Sequence, residues 1–203
     1  MIIPVPMLRQ TFYELSWSQS KTWALLELGQ DGNWAACAAC LWFWQDDRVT
    51  ERLEVQRTIP VDPATIFDIV RDPRGHVAID ASGMLQGFTG QPAGAVGDTF
   101  IIHMDRESLG DLPMGRYDVT VMITGYEENQ FITWEVSGKN FPSIGHFYGY
   151  RLENVDEGTL VTSIYDWSQV DEKWRANGAW PIIPESALKA TLGILERTAR
   201  SSG

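Results

Sequence analysis

The stretch Ile59-Pro60-Val61-Asp62-Pro63-Ala64-Thr65-Ile66-Phe67-Asp68-Ile69-Val70-Arg71-Asp72-Pro73, continuing to Gly83, joins a strand end to two short helices through a fixed set of breakers. Just upstream, Leu53, Val55 and Ile59 alternate with Arg52, Glu54, Gln56 and Thr58, the period of a half-buried strand. Asp62 is a good N-cap and Pro63 a good first helical residue; Ile66, Ile69 and Val70 then recur at helical spacing. A stop follows at Asp72-Pro73, and a further short segment, 76–80, ends at Ser82-Gly83.

Beyond Gly83 the sequence reads as successive strands over 84–88, 99–104, 117–126, 131–137, 146–154 and 160–167, which with the first strand makes seven. Turn chemistry separates them at Gly94-Ala95-Val96-Gly97, Glu127-Glu128-Asn129, 140–145 and Asp156-Glu157-Gly158. Short consecutive strands joined in this way form an antiparallel meander. The last segment, 185–200, opens after Pro184 and carries Leu188, Thr191, Leu192 and Leu195 on one stripe, a long amphipathic helix for the sheet to hold.

With these pieces in view, the chain from about Glu51 onward resembles the helix-grip (SRPBCC) superfamily. That group includes START lipid-transfer domains, plant pathogenesis-related allergens and bacterial polyketide cyclase/dehydrase-like proteins. The resemblance is carried by Pro60-Val61-Asp62-Pro63-Ala64, by Asp80-Ala81-Ser82-Gly83, and by Gly158-Thr159-Leu160-Val161-Thr162-Ser163-Ile164-Tyr165-Asp166-Trp167-Ser168. It implies an α+β helix-grip fold: a seven-stranded antiparallel sheet wrapped around a long C-terminal helix, with two short helices after the first strand. Members range from cyclases to passive carriers, so function has to be argued from the site.

Composition sets outer limits. The formal charge is −11 and no Lys/Arg cluster exists, which argues against a nucleic-acid partner and against an anionic membrane surface. No run reaches the roughly 20 apolar residues of a spanning helix, so no membrane insertion is expected. Residues 1–48 differ from the rest. They hold five of the nine Trp and both Cys, with an apolar run from Trp34 to Trp44 that has neither strand nor helix period. Cys37-Ala38-Ala39-Cys40 lacks a second Cys/His pair, so the two cysteines read as small apolar residues, and neither metal nor any other cofactor is implied. The apolar run follows Glu27 and Asp31 and lies too deep for a signal peptide, which places the protein in the cytoplasm. Two readings of this region stay open: an atypical leader, non-native or disordered, with the native start at Val49; or a real extension that covers apolar surface or binds a partner.

Strand parity predicts the lining of a cavity between sheet and helix. The inward set is Phe100, Ile102 and Met104; Tyr117, Val119, Val121 and Ile123; Ile132, Trp134 and Val136; His146, Tyr148, Tyr150 and Leu152; Val161, Ser163, Tyr165 and Trp167. The opposite parity, with Asp118, Thr120, Thr133, Glu135, Arg151, Thr162 and Asp166, is expected to be solvated. An aliphatic core explains the Val, Ile and Leu. Several hydroxyls and an imidazole in one concavity each need a partner or cost roughly 1–3 kcal/mol, which a wet pocket would relieve.

The expected ligand contacts are therefore Phe100, Ile102, Met104, Tyr117, Trp134, His146, Tyr148, Tyr150, Tyr165 and Trp167, with His76 added because the resemblance puts its segment near the cavity mouth. The segment Glu107-Ser108-Leu109-Gly110-Asp111-Leu112-Pro113-Met114-Gly115 reads as a flap over it or as a plain connector. Candidates for acid/base chemistry are His146, Asp80 and Tyr148, His146 being a group that titrates near neutrality. Competing roles are a satisfied pocket imidazole for His146 and a cap of the Ser82-Gly83 turn for Asp80. His103 falls outward and reads as a surface residue. Three function classes remain: a carrier or sensor of a hydrophobic small molecule, a cyclase/dehydratase-like enzyme, and, less favoured, a co-chaperone-type interaction module.

Overall fold

The structure is a computed structural model that describes residues 15–17, 20–22, 51–107, 114–138, 142–176 and 180–201. The chain divides into two units, Met1–Arg48 and Val49–Gly203. In the first, β1 (Leu15–Trp17) and β2 (Ser20–Thr22) pair antiparallel. The other expectations for 1–48, including those for Cys37 and Cys40, lie outside the described residues.

The second unit runs β3 (Arg52–Ile59), α1 (Pro63–Val70), α2 (Pro73–Ile79), β4 (Leu85–Thr89), β5 (Thr99–Asp105), β6 (Arg116–Glu127), β7 (Phe131–Gly138), β8 (Phe147–Val155), β9 (Gly158–Asp166), α3 (Glu172–Arg175) and α4 (Glu185–Ser201). β3 to β9 form one antiparallel sheet in the order β3-β9-β8-β7-β6-β5-β4, so the first strand closes against the last. α4 lies on β3, β9, α1 and α2.

Local chemistry starts α1 where the sequence indicated and α2 earlier. The Asp62 carboxylate accepts from the Thr65 N–H at 2.9 Å and the Thr65 hydroxyl at 2.7 Å, and Pro63 follows as the first residue of α1. Asp72-Pro73 is more than a stop. Asp72 accepts from the Arg74 N–H at 2.8 Å and caps α2, which therefore begins three residues before His76. The two helices approach so closely that a Cβ at Gly75 would run into the Ile69 carbonyl. In α4 the buried stripe is Leu188, Leu192, Leu195 and Ala199, with Thr191 half-buried beside it.

The outward parity is less solvated than expected. Thr133, Thr162 and Asp166 are buried on that side, for different reasons. Thr133 sits between Gly125 and Gly149 on the flanking strands, where a Cβ would strike it, so it fills their missing side chains. Thr162 is covered by Gln56 and Arg151 in register on either side, and Gln56 Nε2 donates to its hydroxyl at 3.1 Å. Asp166 pairs with Arg52 at 3.1 Å and accepts from the Ser168 N–H at 2.9 Å and hydroxyl at 2.6 Å.

Leu195 is fully buried, so Leu195→Ala should lower unfolding free energy by about 2–5 kcal/mol. Exposed Lys189→Ala on the same helix should stay within about 0.5 kcal/mol of the parent. Urea denaturation of both variants checks this.

Candidate functional site

On β5, β6 and β7 burial along the inward parity falls toward one end of the sheet, whereas His146, Tyr165 and Trp167 at that end stay buried. On β6 relative exposure rises from Ile123 (0%) through Val121 (2%) and Val119 (8%) to partly exposed Tyr117. The same course runs on β7 from Ile132 (0%) through Trp134 (9%) to partly exposed Val136, and on β5 from buried Phe100 and Ile102 to Met104. On β8 it runs from buried Leu152 and Tyr150 to Tyr148. The interior is thus solid at one end and accessible at the other, where β5 leads to β6 and β7 to β8. One further inward residue completes this end. Arg106 continues the parity of Ile102 and Met104, donates its backbone N–H to the Gly115 carbonyl at 2.9 Å and is 8% exposed.

Polar groups converge there. The rings of Tyr148 and Tyr165 stack with centroids 4.5 Å apart and planes at 6°. The Tyr165 oxygen accepts from the Ile182 N–H and from the Tyr148 hydroxyl, and lies 3.4 Å from His146 Nδ1. Tyr148, Tyr165 and Trp180 surround the His146 ring edge-on at 5.4, 5.9 and 5.4 Å. Burial pushes the imidazole down to about 4, against the opposing pull of Glu135. Burial likewise raises the Tyr148 and Tyr165 phenols, keeping both as neutral donors. Gly145 holds this geometry: its φ is +90°, and a Cβ would run into the Gln169 carbonyl.

Deeper in, His76 bridges α2 to the sheet. Its Nε2–H donates to the Val70 carbonyl at 2.8 Å, and the ring meets Phe100 at 5.1 Å and Trp134 at 4.7 Å. Burial lowers it to about 4, while the Val70 carbonyl and Asp72 oppose the shift. Tyr150, hydrogen-bonded to Ser163, packs on Trp134 at 5.9 Å.

The structure therefore brings His146, Tyr148, Tyr165 and Trp167 together, with Tyr117 and Met104 facing them at the accessible end and Trp134 6.2 Å from Tyr148. His76, Phe100, Ile102 and Tyr150 belong to the solid part. Asp80 has its carboxylate taken up by the Ser82 N–H at 2.8 Å, the Ser82 hydroxyl at 2.6 Å and the Leu85 N–H at 3.0 Å. His103 is outward, between Asp118 at 2.7 Å and the Thr89 hydroxyl at 3.0 Å. A concavity of about 510 Å³ is lined by Gln86, His103, Met104, Asp105, Arg116, Tyr117 and Asp118, most of them on the outward parity, so it lies toward the outer face and not between sheet and helix. Most of the flap, 108–113 with Leu109 and Leu112, lies outside the described residues, and Met114 is exposed. Among the described residues no group of three His, Cys, Asp or Glu is placed to hold a metal, and no helix is long and apolar enough to cross a membrane.

Sequence reasoning missed Arg106, Trp180 and Ile182. Extending the β5 alternation by one step past Met104 would have found the first. The other two reach the site through the irregular connection between β9 and α4, which carries no periodic signal.

Both buried imidazoles titrate below their unfolded value, so between pH 6.5 and about 4 the unfolded chain takes up protons that the folded chain refuses. Stability is full above pH 6.5 and falls as pH drops, by order of about 3 kcal/mol for each His over the window. Urea titrations from pH 7.5 to 5 should show a loss that His76→Gln and His146→Gln each flatten by close to one proton. An unchanged slope in both variants would contradict the burial of these rings.

No protein-family model matches the chain. It is 31% identical over 117 residues to the uncharacterized protein Rv0088 of Mycobacterium tuberculosis, a match that covers 56% of this chain and 47% of that one. The chain thus spans about half the length of the curated relative it matches. Among solved structures it is similar to protein Ms6760 of Mycobacterium smegmatis, with a TM-score of 0.55 and 14% identity over 77% of this chain and 96% of that one. It is also similar to protein NE0264 of Nitrosomonas europaea, with a TM-score of 0.55 and 12% identity over 74% and 95% of the two chains. At these identities the likeness concerns the fold. Taken with the closed β3–β9 seam and the helix laid across it, these findings identify the unit Val49–Gly203 as a helix-grip domain.

Proposed function

We propose that the accessible end of the interior binds a hydrophobic small molecule, a lipid, sterol, polyketide or aromatic compound, as a carrier or sensor in the cytoplasm. The observation that carries this reading is the burial gradient that ends in polar-tipped aromatics. A core built for stability alone favours aliphatic side chains in close packing. Here the inward positions change, over one sheet, from Ile and Val to partly exposed Tyr117 and Tyr148 beside the buried His146, Tyr165 and Arg106. Such a surface, apolar with a few converging donors, suits an amphiphilic ligand whose body displaces water and whose polar end takes up hydrogen bonds.

Cyclase/dehydratase-like chemistry is the second reading. It rests on the hydrogen-bonded run Tyr148–Tyr165–His146, in which a phenol could protonate an enolate oxygen. Against it stand the protonation states. An imidazole held at about 4 is a weak base at neutral pH, and the Asp80 carboxylate is committed to its turn. Both facts favour positioning over proton transfer.

Titrating the full chain with a fatty acid, a sterol and a polyaromatic should give a saturable change in Trp emission with at least one of them. Trp134→Phe and Trp167→Phe should remove most of it, since both indoles pack on the Tyr148–Tyr165 stack. No saturable response to any class would overturn the proposal. His146→Gln separates the two readings: a carrier loses roughly tenfold in affinity, whereas an enzyme loses about 10²-fold in turnover with binding nearly intact.

A further inference from the structure

We infer that the outer face of the sheet carries a second site: a nucleophilic hydroxyl at Thr89, activated through His103 and Asp118, that takes the acyl group of a small uncharged ester.

The order of the hydrogen bonds carries this. Three adjacent strands each give one residue to the outward face, Thr89 on β4, His103 on β5 and Asp118 on β6. Register places His103 opposite Asp118 on one side and Gly87 on the other, with Thr89 two residues further along β4. His103 Nδ1 lies 2.7 Å from Asp118 Oδ1, and Nε2 lies 3.0 Å from Thr89 Oγ1. A carboxylate only accepts, so Nδ1 carries the ring hydrogen. In the neutral ring Nε2 is then the acceptor, and the Thr89 hydroxyl donates to it. That is the polarity a hydroxyl nucleophile needs: a base on its proton, and a carboxylate on the far nitrogen to fix the orientation and tautomer of that base.

The surroundings leave this hydroxyl within reach of a substrate. A Cβ at Gly87 would touch His103 Cδ2 at 3.4 Å, so the glycine keeps that side of the ring uncovered. The β4–β5 register shifts between Leu85 and Gly87, a bulge of the kind that re-aims side chains, and β4 is an edge strand on which Thr89 is exposed. The concavity of about 510 Å³ adjoins the ring and the carboxylate, with Met104 and Tyr117 as its apolar part and the Asp105–Arg116 ion pair at its side. A chain of net charge −11 repels anionic acyl donors, which selects an uncharged ester.

In the first step Thr89 Oγ1 bonds to the acyl carbon and the bond from that carbon to the alcohol oxygen breaks. The hydroxyl proton passes to His103 Nε2 and from there to the departing alkoxide. Water, giving its proton to the same nitrogen, then releases the acid and restores Thr89. Thr89 and His103 are the catalytic residues, and Asp118 is a positioning residue.

Incubating the full chain with 4-nitrophenyl acetate tests this. Hydrolysis should exceed the rate in buffer, and peptide fragmentation of the quenched protein should place an acetyl group on Thr89. Thr89→Val should remove both signals, and Thr89→Ser should keep both. His103→Gln should lower kcat by about 10²-fold, the usual scale for losing one general base. Asp118→Asn should lower kcat at least about tenfold with KM within about twofold, a split that lost packing alone would not give. No acetyl group on Thr89, or turnover unchanged in Thr89→Val, would overturn the proposal. Turnover that survives Thr89→Val but falls in His103→Gln would mean attack by the imidazole itself, and would overturn it equally. The acetyl group is located on the parent protein, so the outcome stands even where a variant fails to fold.

Discussion

Everything in this domain depends on the pairing of its first strand with its last. β3 and β9 lie in register from Arg52 opposite Asp166 to Ile59 opposite Thr159, residues more than a hundred apart in sequence at the Arg52 end. Closing so long a loop costs entropy that only burial can offset. The seam repays it locally: Ile59 and Thr159 are fully buried, the Thr159 hydroxyl donates to the Val61 carbonyl at 2.8 Å, and Gly158 passes too near the Ile59–Pro60 backbone to carry a Cβ. Because α1 follows β3 and α4 comes after β9, the seam also brings both helices over one face of the sheet. The Arg57–Glu196 ion pair marks the same junction from outside.

That closure makes the two ends of the interior unequal. At one end Ile66, Phe67 and Val70 of α1 and Leu192 of α4 share one buried cluster with Ile123, Ile132 and Leu152 of the sheet. At the other end the covering comes from irregular chain that contributes Trp180, Ile182 and Ile183. Arg175 anchors the start of that connection through the Ser168 and Val170 carbonyls, each at 2.6 Å, and an ion pair with Glu51. Buried hydroxyls and an imidazole survive where partners from loop backbone can reach them, as the Ile182 N–H reaches Tyr165. The polar chemistry therefore gathers at the loosely covered end.

Much of this was legible in the sequence because period-two alternation and Gly/Pro punctuation are local signals. All seven strands and the long helix lie within one or two residues of where they were read. The inward set fell on the inward face, and Asp80 caps the turn that its spacing from Ser82 suggested. What stayed hidden depends on neighbours across the sheet. Thr133 is buried because glycines flank it on two other strands, and Asp166 because Arg52 crosses to it. Arg106 was passed over because the breakers beginning at Glu107 seemed to end the strand at Met104. His146 read as a titrating group, since sequence gives its ordinary value and not the burial that holds it near 4.

The central claim is that the interior is open at one end and closed at the other, and methyl NMR tests it most directly. With Met, Val and Ile methyl groups labelled in the full chain, the fatty acid, sterol or polyaromatic that gives a saturable response should shift the resonances of Met104 and Val136 and leave those of Ile123 and Ile132 in place. Shifts at the two isoleucines, or none at Met104 and Val136 under saturating ligand, would contradict the account.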